Sequence, residues 1–275
     1  MIDMHTHTTF SDGTYTPSDL IDLAHKTGLK AIAITDHDTI DGIPFARQKA
    51  KDLNIELIEG IEFSCGYNSI EIHILGYFLD ITNKPFLSLL DTLKKTRDKR
   101  NKELIKKLQS IGVKICLDDV FCLCGGNLVT KAHFAKALVQ KGYVKTTQDA
   151  FNIYLGKNKP AYISRDLIDY KDAIKYIKNA GGKAVLAHPY IYKLSEKELE
   201  SLIKNLKQNN IDGIECYYPS NTINQTNRLL NLAKKYNLKI TAGSDFHGDN
   251  RKEVTLGNIF LQNKVDYSIL QDFKN

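Results

Sequence analysis

Residues 1–13 read Met-Ile-Asp-Met-His-Thr-His-Thr-Thr-Phe-Ser-Asp-Gly, and this stretch decides how the rest of the chain is read. Residues 1–4 predict a short buried strand. His5 and His7 follow at alternate positions, so both imidazoles leave the strand end on the same side. Asp12 comes five residues after His7, in a Ser-Asp-Gly turn. Two same-side imidazoles and a nearby carboxylate are half of a first-row metal site, and nitrogen and oxygen donors at this spacing suit zinc, manganese or iron better than calcium. A His-x-His alone also fits an ordinary polar strand end, so the weight falls on what the rest of the chain supplies.

Outward from this stretch, apolar strands alternate with amphipathic helices. Thr16-Pro17-Ser18-Asp19 is a helix start, with a Thr cap, Pro at the first position and an acid in the first turn. Residues 31–35 (AIAIT) are a fully buried strand that ends in Asp36-His37-Asp38. A helix over 42–53 leads to a strand at 55–58, with Gly60-Ile61-Glu62-Phe63-Ser64 at its end. Residues 69–78 form another strand, with His73 inside it. Further on, a helix over 170–180 precedes a strand at 183–187 ending in His188-Pro189. Helices over 196–208 and 221–236 flank a strand at 213–217. The last strand, 239–243, ends in Ser244-Asp245-Phe246-His247-Gly248. Ionisable residues thus gather at strand C-terminal ends, where parallel α/β folds put their chemistry.

The middle of the chain breaks the alternation. Phe86, Leu90, Leu93, Leu104, Leu108 and Ile111 recur at steps that predict one long helix. Lys94, Lys95, Arg97, Lys99, Arg100, Lys102, Lys106 and Lys107 are assigned to its outer, solvated face. Shorter helices are expected over 117–124, 131–141 and 147–155, so 84–165 reads as an all-helical insertion. It holds 17 Lys/Arg against 6 Asp/Glu, a balance of +11, while the rest of the 275 residues carries −5. A basic segment of this kind suits a polyanionic ligand. The five cysteines are scattered and odd in number, unlike a disulfide framework. With no bilayer-spanning apolar run and no signal peptide ahead of the first strand, the expected location is the cytoplasm.

Six of the eight histidines, His5, His7, His37, His73, His188 and His247, lie in or just after predicted strands; His25 is read as structural. Asp12, Glu62 and Asp245 accompany them. So many imidazoles would be costly to bury together without a metal. Three carboxylates carry −3, so two or three divalent cations leave a positive site. That suits a phosphate whose in-line displacement the metals clamp, with a carbonyl substrate still open.

HTHTTFSDG, TDHDT, GIEFS, LAHPY and GSDFHG resemble, in order, the motifs of the PHP (polymerase and histidinol phosphatase) superfamily. The resemblance runs nearly the whole length. It is closest to the branch containing nucleoside 3',5'-bisphosphate phosphatase, also described as the ribonuclease RNase AM. It implies an α/β fold, a distorted (β/α)7 TIM-like barrel from 1–83 and 166–275, with 84–165 as a helical lid domain. It also implies a trinuclear centre of manganese, iron or zinc. His5, His7, Glu62 and Asp245 would hold one metal. Glu62, His73 and His188 would hold a second, and Asp12, His37 and His247 a third. Asp36 or Asp38 would orient His37, and Asp38 is taken as the catalytic helper.

Three positions depart from the branch. Lys131-Ala132-His133 stands where Arg-Pro-His is usual, so the bidentate arginine fork is lost, and His133 is expected to hold phosphate or protonate the leaving group. Tyr190-Ile191-Tyr192 replaces an arginine, and Asn221 replaces a histidine at a substrate contact. The implied activity is a metal-dependent phosphoesterase in which metal-activated hydroxide attacks a phosphomonoester of a nucleoside bisphosphate or of a short RNA end. The expected partner is that phosphorylated small molecule or RNA, with no membrane and no obligate protein. A small-metabolite phosphatase acting on histidinol phosphate and a non-catalytic PHP module are the alternatives. A metal-dependent amide or lactone hydrolase lacks support, since no lysine stands at a strand end to be carbamylated.

Overall fold

The computed structural model describes residues 1–126, 128–164, 166–259 and 265–275. In chain order the elements are β1 (Ile2–Asp3), α1 (Pro17–Thr27), β2 (Ala31–Ile34), α2 (Ile43–Asp52), β3 (Glu56–Tyr67) and β4 (Ile70–Tyr77). A helical stretch follows, with α3 (Lys84–Ser110), α4 (Leu117–Phe121), α5 (Lys131–Gln140) and α6 (Thr147–Ala150), the last running into a π-helical turn at Phe151–Leu155. The chain returns through β5 (Ile168–Asp169), α7 (Tyr170–Asn179), β6 (Lys183–Leu186) and α8 (Glu196–Gln208). It ends with β7 (Gly213–Tyr217), α9 (Ile223–Lys235), β8 (Lys239–Ala242) and α10 (Ser268–Lys274).

Strands pair in the order β1-β2-β3-β4-β6-β7-β8, with β5 added to β3 off this path. The two ends of the path meet: Met4 N donates to Ala242 O at 3.0 Å, and Thr6 bridges Phe246. The result is the nearly closed seven-stranded α/β barrel expected from the sequence. Its strands read as they do because both faces are covered. Ile32 and Ile34 face the outer helices, while Ala31 and Ala33 face the interior with Met4, Leu75, Tyr77 and Val185. Leu270 and Phe273 of α10 close that interior from below. Lys183 and Lys239, at the starts of β6 and β8, donate to the α10 carbonyls of Phe273 and Asp272. The opposite mouth is left for chemistry.

The structure departs from the expected pattern at β3 and β4. The strand does not stop near residue 58 but runs to Tyr67, turns through Asn68 and Ser69, and returns as β4, antiparallel to both β3 and β6. Both turn residues have left-handed backbone (φ 43° and 65°), as a two-residue hairpin requires. Glu62 therefore sits in mid-strand, not at a strand C-terminal end, while His73 lies inside its strand as expected, and the antiparallel hairpin carries both to the mouth.

The second departure is α3. Phe86 and Leu90 pack on the barrel core, whereas Leu104 and Leu108 join a separate apolar cluster with Val113, Val129, Phe134, Leu138 and Leu155. Between these clusters Arg97 and Arg100 are only 5% and 4% exposed, so they do not belong to the solvated face assigned to them. Lys95, Lys99, Lys102, Lys106 and Lys107 do. Arg165, the last residue of the predicted insertion, lies outside the described residues. Among the described residues no helix is long and apolar enough to cross a membrane.

Candidate metal centre

The strand ends and the hairpin bring the nine candidate ligands to one place. His5, His7, Glu62 and Asp245 each offer a donor atom within 4.8 Å of the others. His7, Asp12, His37 and His247 do the same, and so do His37, Glu62 and His73. His188 Nε2 lies 2.9 Å from Glu62 Oε1, the oxygen that His73 Nδ1 also meets at 2.9 Å. Glu62 is thus central: Oε1 faces His73 and His188, and Oε2 lies 2.9 Å from His37 Nδ1 and 3.3 Å from His7 Nε2. The grouping differs from the implied one in that His7 and His37 each belong to two groups and His188 to none of the three.

The donor set fits divalent metal. Six buried polar atoms of the cluster lack a hydrogen-bond partner: His5 Nε2, His7 Nε2, His37 Nδ1, His188 Nδ1, Asp12 Oδ1 and Glu62 Oε2. Each such atom costs about 1–3 kcal/mol when left unsatisfied. His188 turns Nε2, not Nδ1, to Glu62; the convergence of the other five calls for an electrophile, and imidazole with carboxylate suits manganese, iron or zinc. The electrostatics agree. Burial pushes the Asp12, Glu62 and Asp245 carboxyls up, but the surrounding imidazoles outweigh it and hold all three well below the usual range. Burial likewise opposes a charge on His73 and His247, yet Glu62 raises His73 to about 10, and Asp12 with Asp245 raises His247 to about 9. The cluster draws positive charge to its centre.

An outer layer aims these ligands. Glu215 Oε1 meets His5 Nδ1 at 3.0 Å, and its Oε2 accepts from His188 N at 2.7 Å. Ser11 Oγ lies 3.3 Å from His7 Nδ1, and the Asp245 carbonyl 2.9 Å from His247 Nδ1. Occupied Nδ1 atoms turn Nε2 inward, the arrangement metal-binding histidines favour. Gly243 must be glycine here: a Cβ would fall 2.2 Å from His5 Cβ and 2.6 Å from Glu215 Oε1.

The remaining sequence-predicted residues fall in different places. Asp36 is spent on the first loop, taking Thr8 N, Thr8 Oγ1 and Ser11 Oγ. Asp38 accepts from Ser64 N and from Arg97, so it fastens α3 to the barrel. Asn221 donates to the Cys216 carbonyl. It is not among the residues lining the cavity of about 350 Å³ beside the cluster. Lys131 does line that cavity, over the Tyr162 ring at 4.8 Å. His133 is buried in the first turn of α5, where its Nδ1 accepts from Thr130 N at 3.0 Å. Burial lowers its pKa to about 4, so it is a neutral imidazole with its proton on Nε2.

The cavity is lined by Asp12, His37 and His73 of the cluster, by Ser64 and Glu71 of the hairpin, and by the cationic Arg97, Arg100 and Lys131 with Thr130, Ala132 and Phe151. Sequence reading missed Arg97, Arg100 and Glu215. The arginines were hidden in a lysine-rich helix, although 93, 97, 100 and 104 continue its buried stripe. Glu215 was signalled by an acid inside the apolar strand Gly213–Tyr217.

Known proteins carry the same arrangement of sequence and fold. The chain is 39% identical over 245 residues to a 5'-3' exoribonuclease of Haemophilus influenzae, covering 89% of each. It is 31% identical over 256 residues to a 3',5'-nucleoside bisphosphate phosphatase of Chromobacterium violaceum, covering 92% of this chain and 90% of that one. A structure from Bifidobacterium adolescentis, described as a metal-dependent phosphoesterase, superposes with a TM-score of 0.87 at 31% identity, over 99% of this chain and 94% of the other. The PHP domain profile matches residues 3–271, a span that takes in both barrel segments, the helices between them and all nine clustered ligands. This chain belongs to the PHP domain family.

Proposed function

We propose that the protein is a metal-dependent phosphoesterase that acts on a nucleoside carrying a 5'-phosphate and a second phosphorus on O3'. In a nucleoside 3',5'-bisphosphate that phosphorus is a monoester. At the 5' end of a short RNA it is the first phosphodiester, whose cleavage frees a 5'-mononucleotide. One binding mode then serves both activities named for the relatives. The observation that carries this reading is one cavity lined both by Asp12, His37 and His73 of the metal cluster and by Arg97, Arg100 and Lys131.

His5, His7, Asp12, His37, Glu62, His73, His188, Asp245 and His247 would hold two or three ions of manganese, iron or zinc. When bound, these supply an activated water and positive charge for the phosphoryl oxygens. The cationic side chains take the other phosphate. Arginines offer forked donors to its oxygens, and the start of α5 adds the positive end of a helix dipole. His133, neutral with its proton on Nε2, donates a hydrogen bond and does not act as a cationic acid. Phe151, at the head of the π-helical turn, lines the same cavity and gives a flat apolar face for the base. Residues 84–165 act as a lid that brings these side chains against the barrel.

The test is product analysis with manganese-loaded protein. Adenosine 3',5'-bisphosphate should yield inorganic phosphate and adenosine 5'-monophosphate, and a 5'-phosphorylated RNA dinucleotide should be cut faster than its 5'-hydroxyl twin. Release of adenosine 3'-monophosphate, or a preference for histidinol phosphate, would overturn the proposed orientation or substrate class.

A further inference from the structure

Asp245 uses its two oxygens differently. Oδ1 lies 3.2 Å from His7 Nε2 and 3.4 Å from His5 Nε2, inside the group completed by Glu62. Oδ2 accepts from the Tyr218 hydroxyl at 2.9 Å and from Arg251 Nη1 at 2.5 Å. Arg251 Nη1 also donates to the Tyr218 oxygen at 3.2 Å, closing a three-residue contact behind the cluster.

The backbone delivers Arg251 to this point. It ends the short 3-10 turn Gly248–Arg251 that follows His247. That turn is fastened to the loop carrying Asp12: Asp249 N donates to Thr14 Oγ1 at 2.9 Å, and the Asn250 amide donates to the Asp12 carbonyl. Gly248 has φ +63°, and a Cβ there would fall 2.1 Å from Thr14 Oγ1, so no other residue fits. Arg251 is therefore held by the same loop that presents a metal ligand.

We infer that Arg251 sets the charge, and Tyr218 the geometry, of the metal position formed by His5, His7, Glu62 and Asp245. This rests on the metal-centre reading above. With two donors on Oδ2, Asp245 is kept to ligation through Oδ1 alone. A guanidinium is charged at every accessible pH, and its ion-pair hydrogen bond withdraws negative charge from the carboxylate. It also repels a dication a few ångströms away. An ion bound there would be held less tightly and would keep more of its own charge for phosphoryl oxygens. Tyr218 is neutral and makes the same contact without this effect, so the two roles separate by substitution.

The experiment measures Mn2+ affinity by chelator competition, and the visible spectrum of the Co2+-loaded protein, for wild type, Arg251→Met, Arg251→Lys and Tyr218→Phe, with circular dichroism confirming each fold. Arg251→Met should bind Mn2+ about tenfold tighter, a modest remnant of a screened cation–dication repulsion. Its Co2+ spectrum should shift as Asp245 becomes free to use both oxygens. Arg251→Lys should stay near wild type, and Tyr218→Phe should bind more weakly. Unchanged or weaker binding by Arg251→Met, or identical behaviour of the Met and Lys variants, overturns the inference. Failure of the wild type itself to bind metal overturns the metal-centre reading instead.

Discussion

Arg97 and Asp38 meet where α3 crosses the barrel mouth, both almost fully buried. Removing one member of a buried ion pair strands the other at a cost of about 3–5 kcal/mol, whereas replacing both is often close to neutral. Arg97→Met should therefore lower the melting temperature sharply, and Asp38→Asn combined with Arg97→Met should recover much of the loss. Equal destabilisation in the single and double variants would mean that Arg97 serves the fold through other contacts. The pair also shows what was legible at this scale. Eight of the nine clustered positions could be read because each sits in a quoted motif at a strand or turn; His73 was read as a histidine inside its strand. Asp38 was assigned to His37 because it is next to it in sequence, but its carboxylate takes Ser64 N and a guanidinium 59 residues away. Neighbourhood in sequence does not fix where a side chain points, and a long-range partner on a helix leaves no local trace beyond the helix's own periodicity.

The β3–β4 hairpin is the element that turns an ordinary α/β alternation into this site. It places Glu62 against both His73 and His188. Its turn residues, Asn68 and Ser69, both adopt left-handed backbone. Asn tolerates this better than Ser, and the left-handed region costs a non-glycine residue about 1 kcal/mol. Ser69→Gly should therefore stabilise the protein by up to that amount in denaturant titration. A loss of stability would show that the Ser69 side chain contributes more than its backbone costs. The parallel strands and their helices were legible because each strand is a short apolar run followed by a capped helix. The hairpin was not, because Gly60 looked like a strand end and periodicity carries no sign of strand direction. The eight paired residues from Gly60 to Tyr67 and from Ile70 to Tyr77 supply the ladder that carries the strand through. The signal present was the two-residue Asn-Ser interval between alternating stretches.

Across the whole molecule, an acidic barrel meets a basic helical segment, and the meeting point is the cavity. The charge balance of the sequence anticipated a polyanion but placed Arg97 and Arg100 on the solvated face. The exposed lysines of α3 make the net charge, while the buried Arg97 and Arg100, with Lys131 from α5, line the cavity. The barrel was recoverable from pattern and motif together because its strands are regular. The polar contact of α3 with the barrel mouth was not, because it is made by a single long side chain, Arg97, reaching Asp38. This contact and the nine-residue cluster together make up the proposed metal-dependent phosphoesterase site. Its most direct test is phosphate release from adenosine 3',5'-bisphosphate as Mn2+ is titrated into chelator-stripped protein, with Asp245→Ala as the control. Turnover should be absent without metal and should rise to saturation at two to three equivalents, and Asp245→Ala should be folded but inactive. Full turnover by the stripped protein, or undiminished turnover by Asp245→Ala, would contradict it.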